Sequence, residues 1–116
     1  PCLQLRAVRG ATTIAQDTPE AIQQGVEELF DQLIQHHQLK PEDIVWLFFT
    51  VTPDITTMSP AKAVRLKYQW ADIPLMCAQE PFIEGLPAHC IRVLIQFYTS
   101  LERHQLVPVY LNGATT

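Results

Sequence analysis

The sequence predicts an α/β (α+β) domain, built as a five-stranded mixed sheet with one long and one short helix. Three observations predict it. Hydrophobic periodicity alternates along the chain between that of a strand and that of a helix, each helical stretch opens on a cap residue followed by proline, and 116 residues fit a single domain spanning 1–116.

Residues 3–9 alternate, with Leu3, Leu5, Ala7 and Arg9 on one face and Gln4, Arg6 and Val8 on the other. That is a strand, which Gly10 is expected to interrupt. Thr18-Pro19-Glu20 then reads as a helix start: threonine caps, proline suits the first helical position, and glutamate suits the positive end of the dipole. Ile22, Val26, Leu29, Phe30, Leu33 and Ile34 follow at helical spacing, leaving Gln23, Glu27, Asp31 and Gln35 to water, and the helix is expected to end near His36 and His37. After a turn at Lys40-Pro41-Glu42-Asp43, residues 44–51 form an almost unbroken apolar, aromatic and β-branched run, the pattern of a strand buried on both faces. Ser59-Pro60 repeats the cap-then-proline signal and opens a short helix with Lys62 and Arg65 three residues apart on one side. Residues 74–80, 91–98 and 107–111 supply three more strands, giving the order β-α-β-α-β-β-β. One substantial helix cannot cover a sheet this apolar, so a second copy of the chain is expected to cover the remainder.

Composition narrows the function. With 47% hydrophobic and 17% charged residues the chain is of globular type, and no apolar run approaches the ~20 residues of a membrane helix. A net charge of -4 with only eight Lys and Arg opposes phosphate-driven nucleic-acid binding. Cys2, Cys77 and Cys90 are odd in number and lack CxxC spacing, so neither a disulfide framework nor a zinc site is expected and a reducing cytoplasm fits best. The N-terminal residues carry no signal-peptide pattern.

The candidate chemistry sits in and beside apolar strands, where a charge needs a partner. Arg9 ends the first strand, Glu80 closes the strand Leu75-Met76-Cys77-Ala78-Gln79, and Arg92 lies in an otherwise apolar strand two residues after Cys90. Two readings stand side by side: a structural Glu80–Arg92 salt bridge, or a site for a small polyanion, since Arg offers a planar donor fork to carboxylates. Lys62 and Arg65 taken alone form a solvated basic face, and Cys77 taken alone is a small apolar residue with no histidine near it in sequence. Tyr110 either packs or turns its hydroxyl toward a cavity. His36, His37, His89 and His104 lack metal-ligand spacing and are expected at the surface. No phosphate loop, GxSxG elbow or HExxH helix is present in the sequence.

At Val8-Arg9-Gly10-Ala11-Thr12-Thr13 the chain resembles the opening of AroH-type chorismate mutases. The resemblance continues in order through Asp17-Thr18-Pro19-Glu20, Thr52-Pro53-Asp54, Pro60-Ala61-Lys62-Ala63-Val64-Arg65, Cys77-Ala78-Gln79-Glu80, Cys90-Ile91-Arg92-Val93 and Val109-Tyr110-Leu111, covering nearly the whole chain. It implies a homotrimer arranged as a pseudo-α/β-barrel, with active sites in the clefts between subunits, and conversion of chorismate to prephenate in aromatic amino acid biosynthesis. That rearrangement breaks an ether C–O bond while forming a C–C bond, without cofactor, metal or proton transfer. The resemblance further implies that Arg92 addresses the ether oxygen and that Glu80, assisted by Cys77, addresses the ring hydroxyl. Arg9 and Tyr110 would hold one carboxylate, Arg65 of a neighbouring subunit the other, and Lys62 would add positive potential at the mouth. Ser59 stands where some members carry an aromatic residue, Met76 is a variable wall position, and family members usually continue beyond the position of Thr116 with a tail that can fold over the ligand. Two rivals share the expected architecture: a non-catalytic trimer binding a small carboxylate, which would not require Glu80 opposite Arg92, and an enamine or imine deaminase, whose family the Cys77–Glu80 and Cys90–Arg92 segments do not match.

Overall fold

The computed structural model describes residues 2–115. Strand β1 (Gln4–Thr13) is followed by α1 (Pro19–His37), β2 (Ile44–Val51), α2 (Pro60–Tyr68), β3 (Leu75–Gln79), β4 (Cys90–Thr99) and β5 (Val109–Tyr110), the order expected from sequence. One mixed sheet results, in the order β3-β2-β4-β1-β5. The pairs β2/β4 and β1/β4 are antiparallel, while β2/β3 and β1/β5 are parallel.

Both helices start as the sequence predicts. The Thr18 hydroxyl accepts the Ala21 N–H at 3.1 Å and the Ser59 hydroxyl accepts the Ala61 N–H at 3.2 Å, with proline in the first turn of each helix. Such caps are worth about 1 kcal/mol each. Helix α1 lays Ile22, Val26, Leu29, Phe30 and Leu33 on one face of the sheet, against Val8, Phe49, Ile95 and Phe97, and α2 adds Ala61, Ala63 and Val64.

Four expectations are corrected. First, β1 does not stop at Gly10 but runs to Thr13, so Arg9 lies inside the strand. Gly10 belongs there because a Cβ would come within 3.0 Å of Leu29 and 3.1 Å of Leu33; the glycine admits the helix instead of breaking the strand. Second, β2 is buried on one face only: Leu47, Phe49 and Val51 are enclosed, whereas Phe48 is exposed. Both helices pack on the same side, and nothing among the described residues covers the other. Third, the strand expected over residues 107–111 contracts to Val109–Tyr110, because Pro108 has no N–H to donate and the Val107 N–H is directed to a side chain. Fourth, His37 is buried, and that side chain is its own ring.

The uncovered face is apolar. By register, Met76, Phe48, Leu94 and Arg9 form one row across β3, β2, β4 and β1, and Tyr98 stands beside Leu5 further along. Met76 is 69% exposed, and Leu5, Phe48, Leu94 and Tyr98 are also exposed. No described helix is long and apolar enough to cross a membrane.

Candidate active site

Alternation places Arg9 and Arg92 on this uncovered face, while Arg6, opposite the buried Phe97, lies on the other. In β4, Ile91, Val93, Ile95 and Phe97 point into the core, so Arg92 points away from it. Arg92 pairs with Thr50 of β2 and Ala11 of β1, and Ala11 pairs with Tyr110 of β5. These residues make one row, and Arg9, two positions along β1 from Ala11, joins them. Arg9, Arg92 and Tyr110 consequently line a single cavity of about 450 Å³, walled by Cys90, Leu86 and Pro87. Burial pushes the Cys90 thiol up, while the nearby Arg92 guanidinium pulls the other way, so the thiol stays protonated at neutral pH.

Glu80 reaches the same row from the end of β3, its N–H donating to the Val51 carbonyl at 2.8 Å. Its carboxylate accepts the Thr50 hydroxyl and pairs with Arg92 through Nε at 3.1 Å. The pair is asymmetric: the Arg92 side chain is 45% exposed and that of Glu80 15%. Engagement through Nε leaves the terminal nitrogens of Arg92 without a carboxylate among the described residues, and Arg9 makes no ion pair among them either. A cavity of about 260 Å³ over Glu80, Thr52 and Asp54 shares Leu86 and Pro87 with the first. Along the strand row itself, Arg9 and Arg92 stand against the single fixed carboxylate of Glu80, an arrangement suited to a small polyanion that also offers a hydroxyl.

The remaining candidates are elsewhere. Cys77 pairs with Phe49, on the helix side of β3, and packs against the main core. Burial raises its thiol pKa, partly opposed by a hydrogen bond with the Ser59 hydroxyl at the start of α2. Lys62 and Arg65 are exposed on α2 and take part in no ion pair among the described residues. One chain thus carries two separate groups: Arg9, Arg92, Glu80 and Tyr110 on the open sheet face, and Cys77, Lys62 and Arg65 around α2. Met76 projects from β3 on the open face beside Phe48.

Two aspartates hold the loop between the groups. Asp17 accepts both the N–H and the hydroxyl of Thr56 and of Thr57, at 2.9–3.2 Å. Asp54 accepts the His89 N–H at 3.0 Å, where His89 adopts a left-handed φ of 49°. Sequence reading missed these latches, and it missed Thr50, whose only signal was a lone hydroxyl in the run Leu47-Phe48-Phe49-Thr50-Val51. Among the described residues, no group of three or more His, Cys, Asp or Glu is placed to hold a metal ion.

Comparison with known proteins gives the family. A family model described as chorismate mutase type I matches residues 5–116. The chain is 38% identical to chorismate mutase AroH of Bacillus subtilis over 109 residues, covering 94% of this chain and 86% of the relative. It is 35% identical to chorismate mutase AroH of Thermus thermophilus over 111 residues, covering 95% and 90%. Its fold matches a solved structure of chorismate mutase from Clostridium thermocellum with a TM-score of 0.89 and 35% identity, over 94% of this chain and 96% of that one. The chain belongs to the AroH-type, or type I, chorismate mutases.

Proposed function

We propose that this chain, as one domain, catalyses the rearrangement of chorismate to prephenate at a site completed by a second copy of itself. The enzyme is a chorismate mutase, an isomerase, as its family and its full-length relatives indicate. The observation that carries the residue assignment is the gathering of Arg9, Arg92 and Tyr110 in one cavity, with Glu80 fixed beside Arg92.

The reaction needs its substrate held in a compact diaxial conformer and needs charge separation stabilised in the transition state; fixed charges accomplish both. Arg92 presents its free terminal nitrogens to the ether oxygen, where negative charge grows as the C–O bond breaks. Glu80 accepts the ring hydroxyl and faces the fragment that becomes electron-poor. Thr50 holds the Glu80 carboxylate from behind, so little reorganisation accompanies the charge shift. Arg9 and Tyr110 hold one substrate carboxylate. Arg65, Lys62 and Cys77 act from the neighbouring subunit, which reconciles their role with a position away from Arg92 in a single chain.

The assembly is a homotrimer, a pseudo-α/β-barrel in which the exposed row of Met76, Phe48 and Leu94 is covered by a neighbour. Apolar faces of this extent are buried in oligomers far more often than left to water. The enzyme works in the cytoplasm in aromatic amino acid biosynthesis.

Mixing two inactive variants tests the shared site. Arg92→Ala removes the sheet-face half and Arg65→Ala the α2 half, so co-refolded mixtures regain sites only where an intact half of one chain meets the intact half of another. In a random equimolar mixture about one quarter of sites qualify. Recovery near that fraction of wild-type turnover supports shared sites; no recovery from a mixture with wild-type sedimentation behaviour rejects them.

A further inference from the structure

His37 is buried at the C-terminal end of α1, edge-on to Phe97 of β4 with ring centroids 5.9 Å apart. Both ring nitrogens are committed. Nδ1 lies 2.8 Å from the Leu33 carbonyl oxygen, and Nε2 lies 2.9 Å from the backbone nitrogen of Val107. A carbonyl can only accept and an N–H can only donate, so Nδ1 carries the proton and Nε2 is bare. The ring is held as a single neutral tautomer.

The segment that it grips leads directly into the site. β5 has only two paired residues, Val109 opposite Gly10 and Tyr110 opposite Ala11, and is followed by an N–H from Leu111 to the Ala11 carbonyl at 2.9 Å. Pro108 contributes no donor. The Val107–His37 bond is therefore the hydrogen-bonded anchor on the N-terminal side of a very short strand, three residues before Tyr110.

We propose that His37 is a positioning residue for catalysis, whose neutral imidazole clamps the β1/β5 edge and thereby fixes the Tyr110 hydroxyl for substrate binding. The inference rests on the reading of Tyr110 as a carboxylate ligand. Protonation undoes the clamp, since an imidazolium presents an N–H toward the Val107 N–H in place of a lone pair. Burial, opposed by the Leu33 carbonyl and assisted by neighbouring His36, lowers the His37 pKa, so the neutral form prevails at pH 7. From β4 the ring meets Phe97 and from the 107 segment a backbone N–H; the ionisable group acting on it is His36 of its own helix.

The test compares the wild-type enzyme with His37→Gln, His37→Leu and Tyr110→Phe from pH 8 to pH 5, reading kcat and KM for chorismate together with the amide NMR signal of Val107. Loss of one anchoring hydrogen bond predicts that His37→Leu raises KM roughly three- to ten-fold at pH 7.5 with a smaller change in kcat. Wild-type KM rises on acidification, in step with movement of the Val107 signal. His37→Gln, which can still accept but does not titrate, keeps a near-wild-type KM at neutral pH and loses the Val107 transition. An unchanged KM in His37→Leu, or a Val107 transition that persists in His37→Gln, overturns the proposal. Tyr110→Phe separates the two ideas. If it leaves KM unchanged the tyrosine is no ligand, whatever His37 does; if it raises KM while His37→Leu does not, the clamp alone is refuted.

Discussion

Replacing Arg92 separates a structural salt bridge from a catalytic cation, because the two roles predict different ratios of lost stability to lost activity. The Arg92–Glu80 contact is 3.1 Å long with the arginine side chain 45% exposed, and Thr50 remains on the carboxylate when Arg92 is gone. With the arginine half-exposed but the Glu80 side chain only 15% exposed, the expected stability change in Arg92→Ala is about 1–2 kcal/mol. If Arg92 meets charge that develops only in the transition state, the same variant loses about 2.7–4 kcal/mol of barrier lowering, a 100- to 1000-fold fall in kcat. Citrulline at position 92 sharpens the test by keeping shape and hydrogen-bond donors while removing charge, and its deficit belongs mainly in kcat. The assay is the decline of chorismate absorbance, paired with urea unfolding of the same preparations. Turnover within about threefold of wild type, or a stability loss as large as the activity loss, would refute the electrostatic role.

Gly10→Val drives a branched side chain into Leu29 and Leu33, so unfolding free energy should fall by about 1–3 kcal/mol; an unchanged urea midpoint would mean that α1 does not bear on β1 as closely as the 3.0 Å contact requires. Phe49→Ala empties a fully buried ring site packed against Phe30 at 5.7 Å and should cost about 3–5 kcal/mol in the same assay. Desolvation acts upward on the Asp17 carboxyl, but hydrogen bonds from Thr56 and Thr57 outweigh it and hold the pKa below the usual 3.8. Its contribution is thus present above the unfolded value and lost as pH falls through the folded one, so Asp17→Asn should lower Tm at pH 7 and flatten the acid limb of the Tm profile below about pH 4. His37 has the opposite chemistry but the same sign: a depressed imidazole pKa gives full stability above the unfolded value of 6.5 and a decline as pH falls below it, and His37→Gln should remove that decline.

Elements governed by local chemistry were legible in the sequence. Thr18-Pro19 and Ser59-Pro60 mark the two helix starts because a cap hydroxyl and a fixed φ act within one turn, and the alternation of Ile91 to Tyr98 assigns the faces of β4 correctly. The misreadings all involve contacts distant in sequence. Gly10 looks like a strand breaker until Leu29 and Leu33 are known to lie against it. His37 looks like a polar helix end until Val107, 70 residues away, is seen to donate to its ring. The almost unbroken apolar run from Ile44 to Val51 does call for two covered faces, but nothing local says that the described residues supply only one cover.

The site follows the same division. Arg9, Arg92, Glu80 and Tyr110 stood out individually, and the register of four strands brings them to one face, since Arg92–Ala11–Tyr110 and Arg92–Thr50 are pairings that no local pattern encodes. Cys77 has the right strand but the wrong face for that group: one residue of alternation separates it from Met76, and Phe49 draws it toward the core. With Lys62 and Arg65 it borders α2, across an edge that ends at β3. An isolated chain holding the two groups on opposite faces of one sheet could bind a dianion only weakly with either. In the proposed trimer, each copy would set its α2 margin against the next copy's open face, which would bury Phe48, Met76 and Leu94 and bring cations to both ends of the substrate. Burial and catalysis then require the same contact, so a substitution that weakens subunit association, such as Met76→Glu, should reduce turnover in proportion to the loss of trimer seen by sedimentation.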